Sequence, residues 1–361
     1  MKTQHDIDLL REYEAKGLIT GREHPDYELV VWNYTAATQY GRLWDEVTRS
    51  TRGLVTDMRG RTVAQCLPKF FNLPEPESDG SSIDDFTHAQ EKLDGSLIHV
   101  FNYEGNWIAS SRGSFESDQA KWAQELVVSQ IDWFNAGHLD FTYVCELIVP
   151  ENRIVVDYEQ ERSLRLIAMF TLAETIGWFE VPVVKDFMAW PWDIVTSIGL
   201  DDLDQYLDQS GIEGVVLVNF TGDKVIRAKI KTDEYVEHHR IVTGLTTKSV
   251  MEHYMEHDSV DLLLEVAPDE WYHKIGQLAW AFETSANFIE AQVRAQFRNV
   301  RESLSHDYDR KEFAVKVKAQ RNAKYLFRLL DGKPIRKMTQ REVLDNYELY
   351  KLDLHAPDEG C

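Results

Sequence analysis

The spacing of apolar residues changes near residue 242, and this change constrains the fold more than any other feature. Before it, short segments such as 28–35 and 142–149 are apolar and aromatic, as expected of strands with short connections. After it, residues 270–297 and 311–330 carry apolar side chains at helical spacing. The pattern predicts an α+β protein in two domains: an antiparallel-sheet domain over residues 1–242 and a smaller all-α domain over residues 243–361.

Composition supports two folded domains and restricts the class of partner. The chain has 361 residues, 43% of them hydrophobic, which is enough for a sizeable core. Its net charge of −22 excludes a general polyanion binder, because phosphate contacts need lysine and arginine. Residues 310–341 nevertheless hold eleven Lys and Arg against two acids. This run is either one basic groove for nucleic acid or an ordinary solvated helix face.

Several common sites and locations are not indicated by the sequence. There is no membrane-span pattern and no apolar signal region, so a cytoplasmic protein is expected. The three cysteines, Cys66, Cys145 and Cys361, are few and lack metal-ligand spacing, which favours a reducing compartment. The sequence contains no GxxxxGK[ST] phosphate loop, no HExxH pair and no zinc pattern, and metal-ligating residues cannot be named from it.

The segment KLDGS at residues 92–96 is the clearest chemical signal. Asp94 and Gly95 predict a tight, exposed turn, and the alternating strand that follows would anchor it to a core. A lysine held there can attack phosphorus if neighbouring cations or desolvation keep its amine neutral. The alternative is a surface hairpin with a solvated lysine, and taken alone the short motif favours that alternative.

Five further segments carry groups that nucleotide chemistry needs. An arginine beside a glycine suits close approach to phosphate, and a carboxylate in the middle of a strand is costly unless it has a partner. Two lysines two residues apart on a strand lie on the same face and repel each other unless an anion is near. Each could be structural or solvated, but their occurrence together favours one site: Arg52, Lys69, Glu146, Glu213, Lys229 and Lys231.

The order of these segments resembles the covalent nucleotidyltransferase superfamily and, more narrowly, the T4 RNA ligase 1 family. The resemblance covers roughly the first 240 residues and is most specific at residues 69–73 (KFFNL), 92–96 (KLDGS) and 150–155 (PENRIV). The last segment is typical of the RNA ligase branch. The resemblance implies a nucleotidyltransferase (adenylylation) domain at residues 1–242 and a helical domain at residues 243–361 that selects the RNA.

The same resemblance implies roles for individual residues. Lys92 would be the nucleophile that is adenylylated, and Arg52, Lys69, Lys229 and Lys231 would contact the nucleotide phosphates. The remaining implied roles are ribose binding by Glu146, metal-linked catalysis by Glu213, nucleotide contact by Trp32, and RNA binding or support by Arg112 and Tyr235.

The function implied by the resemblance is ATP-dependent RNA ligation, with Mg²⁺ as cofactor. RNA ends carrying a 5′-phosphate and a 3′-hydroxyl would be joined through lysyl-AMP and RNA-adenylate intermediates. The expected setting is RNA repair by a phage-encoded protein in the host cytoplasm, acting on a nicked tRNA-like stem-loop together with an end-healing kinase/phosphatase. Two alternatives remain open: another polynucleotide ligase or capping-type nucleotidyltransferase, and a non-catalytic RNA-binding relative.

Overall fold

The computed structural model describes residues 4–73, 75–136, 139–173, 177–183, 190–221, 224–264, 267 and 271–354. The chain divides into two compact units, Met1–Val242 and Thr243–Cys361. Antiparallel sheets dominate unit 1 and helices make up unit 2, so the α+β fold class is confirmed. Cys66 and Cys145 are buried free thiols, and Cys361 lies outside the described residues. No helix in the described ranges is long and apolar enough to cross a membrane.

Fourteen described strands form three sheets in unit 1. In chain order they are β1 (Ile19–Glu23), β2 (Leu29–Tyr34), β3 (Arg52–Asp57), β4 (Thr62–Ala64), β5 (Phe71–Asn72), β6 (His88–Lys92), β7 (Ser96–Tyr103), β8 (Asn106–Ser111), β9 (Phe141–Ile148), β10 (Ser163–Ala173), β11 (Gly177–Val181), β12 (Ser197–Ile198), β13 (Gly214–Thr221) and β14 (Lys224–Lys231).

The helices of unit 1 pack around these sheets. They are α1 (Ile7–Ala15), α2 (Ala36–Tyr40), α3 (Glu46–Ser50), α4 (Asp118–Ser129), α5 (Ile131–Ala136), α6 (Leu203–Leu207) and α7 (Asp233–Val242).

The first sheet has the order β1-β2-β3-β4, the second β11-β10-β9-β7-β8 and the third β12-β6-β13-β14-β5. All pairings are antiparallel except the short one between β14 and β5. A cluster of aromatic side chains lies under the second sheet, where Trp107, Phe134, Tyr143 and Trp190 pack with ring centroids 5.0–6.1 Å apart. This burial explains why the chain is so rich in aromatic residues.

The KLDGS segment is a corner between two sheets. Lys92 ends β6 in the third sheet, and Ser96 begins β7 in the second sheet. The expectation of an exposed turn is therefore wrong, because Leu93 is 6% exposed and Asp94 is 4% exposed. The corner holds Lys92 where the two sheets meet.

Unit 2 is helical throughout its described part. The helices are α8 (Thr247–His257), α9 (Asp261–Leu264), α10 (Tyr272–Glu302), α11 (Arg310–Val317), α12 (Ala323–Leu330) and α13 (Arg336–Asp345). The apolar face of α10, which includes Ile275, Phe282 and Val293, forms the centre of one core with the other helices. Residues 311–330, predicted as one helical segment, form two helices, since the chain turns at residues 318–322.

A buried ion pair joins the second and third sheets. Arg227 on β14 donates to Glu180 on β11, and the two side chains are 6% and 2% exposed. Removing one partner of such a pair leaves an uncompensated buried charge, which is far more costly than losing an exposed ion pair.

We predict that Glu180→Ala destabilises unit 1 by about 3–5 kcal/mol, because the Arg227 guanidinium would be buried without its partner. Thermal denaturation followed by tryptophan fluorescence would measure the loss. The double variant Glu180→Leu with Arg227→Met should recover most of it, because no charge then remains buried. An unfolding midpoint for Glu180→Ala equal to that of the wild type would contradict this account of the pair.

Candidate active site

Three charged side chains meet at the corner between the sheets. The Lys92 Nζ lies 2.5 Å from the Glu213 Oε1, and the Lys231 Nζ lies 3.6 Å from the same oxygen. The side chains of Glu213 and Lys231 are 4% and 8% exposed, whereas that of Lys92 is 21% exposed. One buried carboxylate is thus shared by two lysines, and Lys92 is the one more open to solvent.

The register of the third sheet brings the two lysines together. Gly214 on β13 pairs with Lys92 on β6 and with Lys231 on β14, so both lysines project from the same face. Gly214 has φ +147°, and a Cβ there would collide with the carbonyl oxygen of Ile230. The Glu213-Gly214 dipeptide therefore reflects a backbone constraint, because only glycine fits between these strands.

Asp94 ties the corner to two other segments. One carboxylate oxygen accepts hydrogen bonds from the backbone N–H groups of Val155 and Val156, each at 2.8 Å. The other accepts from the Tyr235 hydroxyl at 2.7 Å. Tyr235 is 3% exposed and sits on α7, directly after β14. Asp94 thus connects the corner with the end of the PENRIV segment and with the helix behind Lys231.

Glu146 on β9 is half-buried beside this group. Burial raises the pKa of its carboxyl to about 8, and the negative charge of Glu213 acts in the same direction. The charges of Lys92 and Arg52 lower that pKa in part. Glu146 thus lies close enough to Lys92 and Arg52 for their charges to affect its pKa, while its ribose-binding role stays a prediction.

A β-bulge determines where Arg52 points. Between β2 and β3 the register shifts from Trp32–Leu54 to Asn33–Arg52, which leaves Gly53 as the extra residue. Gly53 has φ +99°, and a Cβ there would collide with the His99 ring. Among the described residues, the buried Arg52 Nε has no hydrogen-bond partner. Such an orphaned donor is what an anionic ligand would satisfy.

His99 packs under Arg52 without adding charge. Its side chain is completely buried, and neither ring nitrogen has a hydrogen-bond partner within the described part of the chain. Burial, and to a lesser degree the charge of Arg52, lowers the pKa of His99 to about 3. The imidazole is therefore neutral at physiological pH and does not repel cations in the site.

The structure does not place the Trp32 side chain in this site. The indole is completely buried, and its Nε1–H donates to the Thr56 hydroxyl at 2.9 Å. The Trp32 side chain is thus not exposed in this structure, and its nucleotide contact stays a prediction. Tyr34 lies nearer to the predicted group, since its ring contacts Lys69 and Arg112. The two side chains therefore have different surroundings, although they lie only two residues apart on β2.

Arg112 and Lys69 both lie against aromatic rings. The Arg112 guanidinium is 5.4 Å from the Tyr34 ring centroid, and its Nη1 is 3.4 Å from the Tyr34 hydroxyl. Lys69 is 5% exposed and is surrounded by three aromatic rings. Lys69 directly precedes Phe70, and β5 begins one residue later, at Phe71. The Arg52 guanidinium lies 5.2 Å from the centroid of the Phe70 ring. Phe70 thus links the two cations, since it follows Lys69 in the chain and its ring lies against Arg52. Their phosphate-binding role stays a prediction.

Lys229 and Arg227 extend the row of cations along β14. They alternate with buried apolar residues, so both lie on the same face as Lys231. Lys229 is 6% exposed, so the lysine pair is not a solvated strand face. Sequence reasoning did not select Arg227, although its spacing of two residues from Lys229 carries the same signal.

The basic run of unit 2 is partly neutralised by nearby acids. Five of its eleven cations have acidic partners: Arg310 with Asp331, Lys324 with Glu342, Arg336 with Glu283, Lys337 with Asp258 and Arg341 with Asp345. Lys316, Lys318 and Arg321 are exposed and have no acidic partner among the described residues. These three are the exposed cations of the end of α11 and of the turn that follows it.

The geometry defines a class of protein. A partly exposed amine is held by a buried carboxylate, and several buried or half-buried cations lie on the surrounding elements. Such an arrangement suits covalent transfer of a nucleotidyl group, because the amine can attack phosphorus while the cations bind phosphate oxygens.

The sequence matches the RNA ligase family model of the T4 RNA ligase 1 type over residues 50–235, more than half of the chain. The chain therefore belongs to this RNA ligase family. The matched region begins just before β3 and ends at Tyr235, so it contains Arg52, Lys69, Lys92, Glu213 and Lys231. The resemblance expected from the KLDGS and PENRIV segments is confirmed.

Individual relatives are distant. The chain is 24% identical over 297 residues to an RNA ligase of Rhodothermus phage RM378, a match covering 67% of this chain and 66% of that protein. It is 24% identical over 259 residues to a protein of Autographa californica nuclear polyhedrosis virus named for a proposed bifunctional polynucleotide kinase/RNA ligase activity. That match covers 61% of this chain and 34% of the viral protein. Each match spans less than two thirds of the relative's own length.

Among solved structures, two forms of an archaeal ATP-dependent RNA ligase are similar to this chain. Form 2 has a TM-score of 0.43 at 16% identity and covers 69% of this chain and 64% of its own. Form 1 has a TM-score of 0.44 at 15% identity and covers 95% of both chains.

We predict that Glu146→Gln is more stable than the wild type above about pH 5, with a difference that grows until about pH 8. The pKa of Glu146 is about 8 in the folded protein against a usual value of 4.5, so the folded state holds its proton while the unfolded state releases it. Unfolding midpoints at a series of pH values would measure this. Glu125→Gln, on the exposed face of α4, is the matched control and should show no such trend. Parallel curves for Glu146→Gln and wild type would contradict the assignment.

Proposed function

We propose that the protein is an ATP-dependent RNA ligase that uses Lys92 as a covalent nucleophile. The observation that carries the proposal is the lysine–carboxylate–lysine group at the corner between the sheets, with Glu213 shared by Lys92 and Lys231. Family membership supports RNA as the substrate class. The orphaned Nε of Arg52 and the burial of Lys229 support a phosphate-binding site around the amine.

In the first step the Lys92 amine attacks the α-phosphate of ATP. A nitrogen–phosphorus bond forms, the bond between the α- and β-phosphates breaks, and pyrophosphate leaves. The amine attacks in its neutral form. The Lys231 Nζ lies near the same Glu213 oxygen, so this carboxylate keeps a cationic partner when Lys92 reacts. Arg52, Lys69 and Lys229 would bind the phosphates.

In the next steps the AMP passes from Lys92 to the 5′-phosphate of an RNA end, and a 3′-hydroxyl then attacks that activated phosphate. A 3′–5′ phosphodiester forms and AMP leaves. Each step is a phosphoryl or nucleotidyl transfer, so catalysis depends on positioning and on cations that neutralise developing charge. In this proposal Glu146 binds the ribose hydroxyls, while Arg112 and Tyr235 support the site.

Magnesium fits the site through the nucleotide. No cluster of three acidic, histidine or cysteine side chains in the described parts of the chain could form a protein-only metal cage. Mg²⁺ commonly binds through one or two carboxylates, water and substrate phosphates, and Glu213 is the carboxylate beside Lys92. When bound, Mg²⁺ would neutralise developing negative charge on the phosphates.

The biological setting is part of the proposal. RNA ends with a 5′-phosphate and a 3′-hydroxyl, such as those of a nicked tRNA-like stem-loop, would be joined in the cytoplasm. The viral relative named for combined kinase and ligase activities is compatible with coupling to an end-healing kinase/phosphatase.

We predict that wild-type protein incubated with Mg²⁺ and ATP labelled at the α-phosphate retains the label after denaturation. A lysyl phosphoramidate should survive alkali and be released by acid. Lys92→Ala and Lys92→Arg should both lose the label, because a guanidinium remains protonated and cannot attack. Lys121→Ala, on the exposed side of α4, is the control. Full labelling of Lys92→Ala would contradict the assignment of Lys92 as the nucleophile. Labelling of the wild type by GTP and not by ATP would favour a capping-type enzyme.

The proposed role of unit 2 is to select the RNA. We predict that replacing Lys316, Lys318 and Arg321 with glutamate weakens RNA binding. The slope of the logarithm of the binding constant against the logarithm of the salt concentration should become shallower by about 0.7–0.9 for each phosphate that is no longer bound. Lys92 labelling should be unaffected. Reversal at Lys248, Arg294 and Arg298, on α8 and α10, is the matched control for net charge. Equal RNA affinity and salt slope in both triple variants would move the RNA site to unit 1.

A further inference from the structure

Trp44 is the central ring of an aromatic cage around Lys69. It is half-buried and stands just before α3, whose N-terminus is fixed by a capping box between Asp45 and Thr48. The Trp44 ring makes edge contacts with Tyr34 on one side, at 5.0 Å and 84°, and with Phe71 on the other, at 5.3 Å and 74°. The three rings come from three separate segments and enclose one ammonium group.

The Lys69 Nζ lies at similar distances from all three rings: 5.7 Å from Tyr34, 5.5 Å from Trp44 and 5.4 Å from Phe71. Lys69 is 5% exposed, so water contributes little to solvating its charge. Tryptophan provides the strongest cation–π attraction of the aromatic side chains, and the attraction increases when the cation is desolvated. The cage therefore fixes the position of a cation that would otherwise have a flexible four-carbon stem.

The outer rings of the cage are each shared with another cation. Arg112 lies over Tyr34 at 5.4 Å, and Arg49 lies over Phe71 at 5.4 Å. Within the described residues, Lys69 is the one cation over the Trp44 ring. A change at Trp44 therefore acts on Lys69 more selectively than a change at either neighbour.

We propose that Trp44 is a positioning residue for ATP use: it fixes the Lys69 ammonium for contact with the ATP phosphates. The inference rests on the proposed function. Lys69 would contact the phosphates that leave as pyrophosphate, so Trp44 matters in the first step. Pre-adenylylated RNA already carries AMP and lacks the leaving pyrophosphate, so joining of that substrate does not require the cage.

The test compares Trp44→Leu, which removes the ring, with Trp44→Phe, which keeps a weaker one. We expect the ATP concentration for half-maximal Lys92 labelling to rise about tenfold in Trp44→Leu and by a smaller factor in Trp44→Phe. Joining of pre-adenylylated RNA should stay within about twofold of the wild type in both. Trp122→Leu, a half-buried tryptophan on α4 outside the cage, is the matched control and should change neither step. In the Lys69→Met background, Trp44→Leu should cause no further loss.

Three results would overturn the proposal. Equal effects of Trp44→Leu and Trp44→Phe would show that the indole acts by bulk alone. Parallel losses of labelling and of joining would show a general disturbance of the fold. An unchanged ATP requirement in Trp44→Leu would show that the cage has no role. Absence of label from the wild type is a separate outcome, since it would refute the proposed function and not the role of Trp44 within it.

Discussion

The rest of the site depends on the ion pairs that the Glu213 carboxylate makes with Lys92 and Lys231. One oxygen of this buried carboxylate lies near the amines of Lys92 and Lys231, which come from strands on either side of β13. Without it, two lysines that flank the same strand would repel each other in a weakly solvated environment. With it, this group of two lysines and one carboxylate still has one more cation than anion, which favours attraction of a phosphate. Glu213 therefore reduces the repulsion between the two lysines and still leaves the group with a net positive charge.

The backbone places these charges through constraints outside the reacting groups. The chain leaves the third sheet at Lys92 and enters the second at Ser96, so the amine lies at a junction and not at a free edge. Asp94 fixes the junction through the backbone at residues 155–156 and through Tyr235. Gly214 allows the close approach of β13 to β14, and Gly53 creates the bulge that orients Arg52. Much of what makes the site reactive is thus held by residues that touch no substrate.

The sequence predicted the fold class and the family resemblance well, because strand alternation and the KLDGS, KFFNL and PENRIV segments are local signals. Of the charged residues that it selected, Lys92, Glu213 and Lys231 meet in one ion-paired group. It failed where geometry depends on distant contacts. Trp32 is completely buried while Tyr34 lies beside Lys69, and no periodicity shows this difference between two alternate residues of one strand. The ion pair of Arg227 with Glu180 and the cage around Lys69 join segments far apart in the chain. The basic run also seemed more cationic in sequence than in the fold, since five of its members find acids nearby.

The most direct test of the central claim is to identify the residue that carries AMP. Protein incubated with ATP and Mg²⁺ would be digested at neutral or alkaline pH, and the modified peptide sequenced by tandem mass spectrometry. The account predicts AMP on Lys92, joined through its Nζ, and on no other lysine. AMP on Lys69, Lys229 or Lys231 in place of Lys92 would contradict it, because those amines are assigned to phosphate binding and are almost fully buried in the structure.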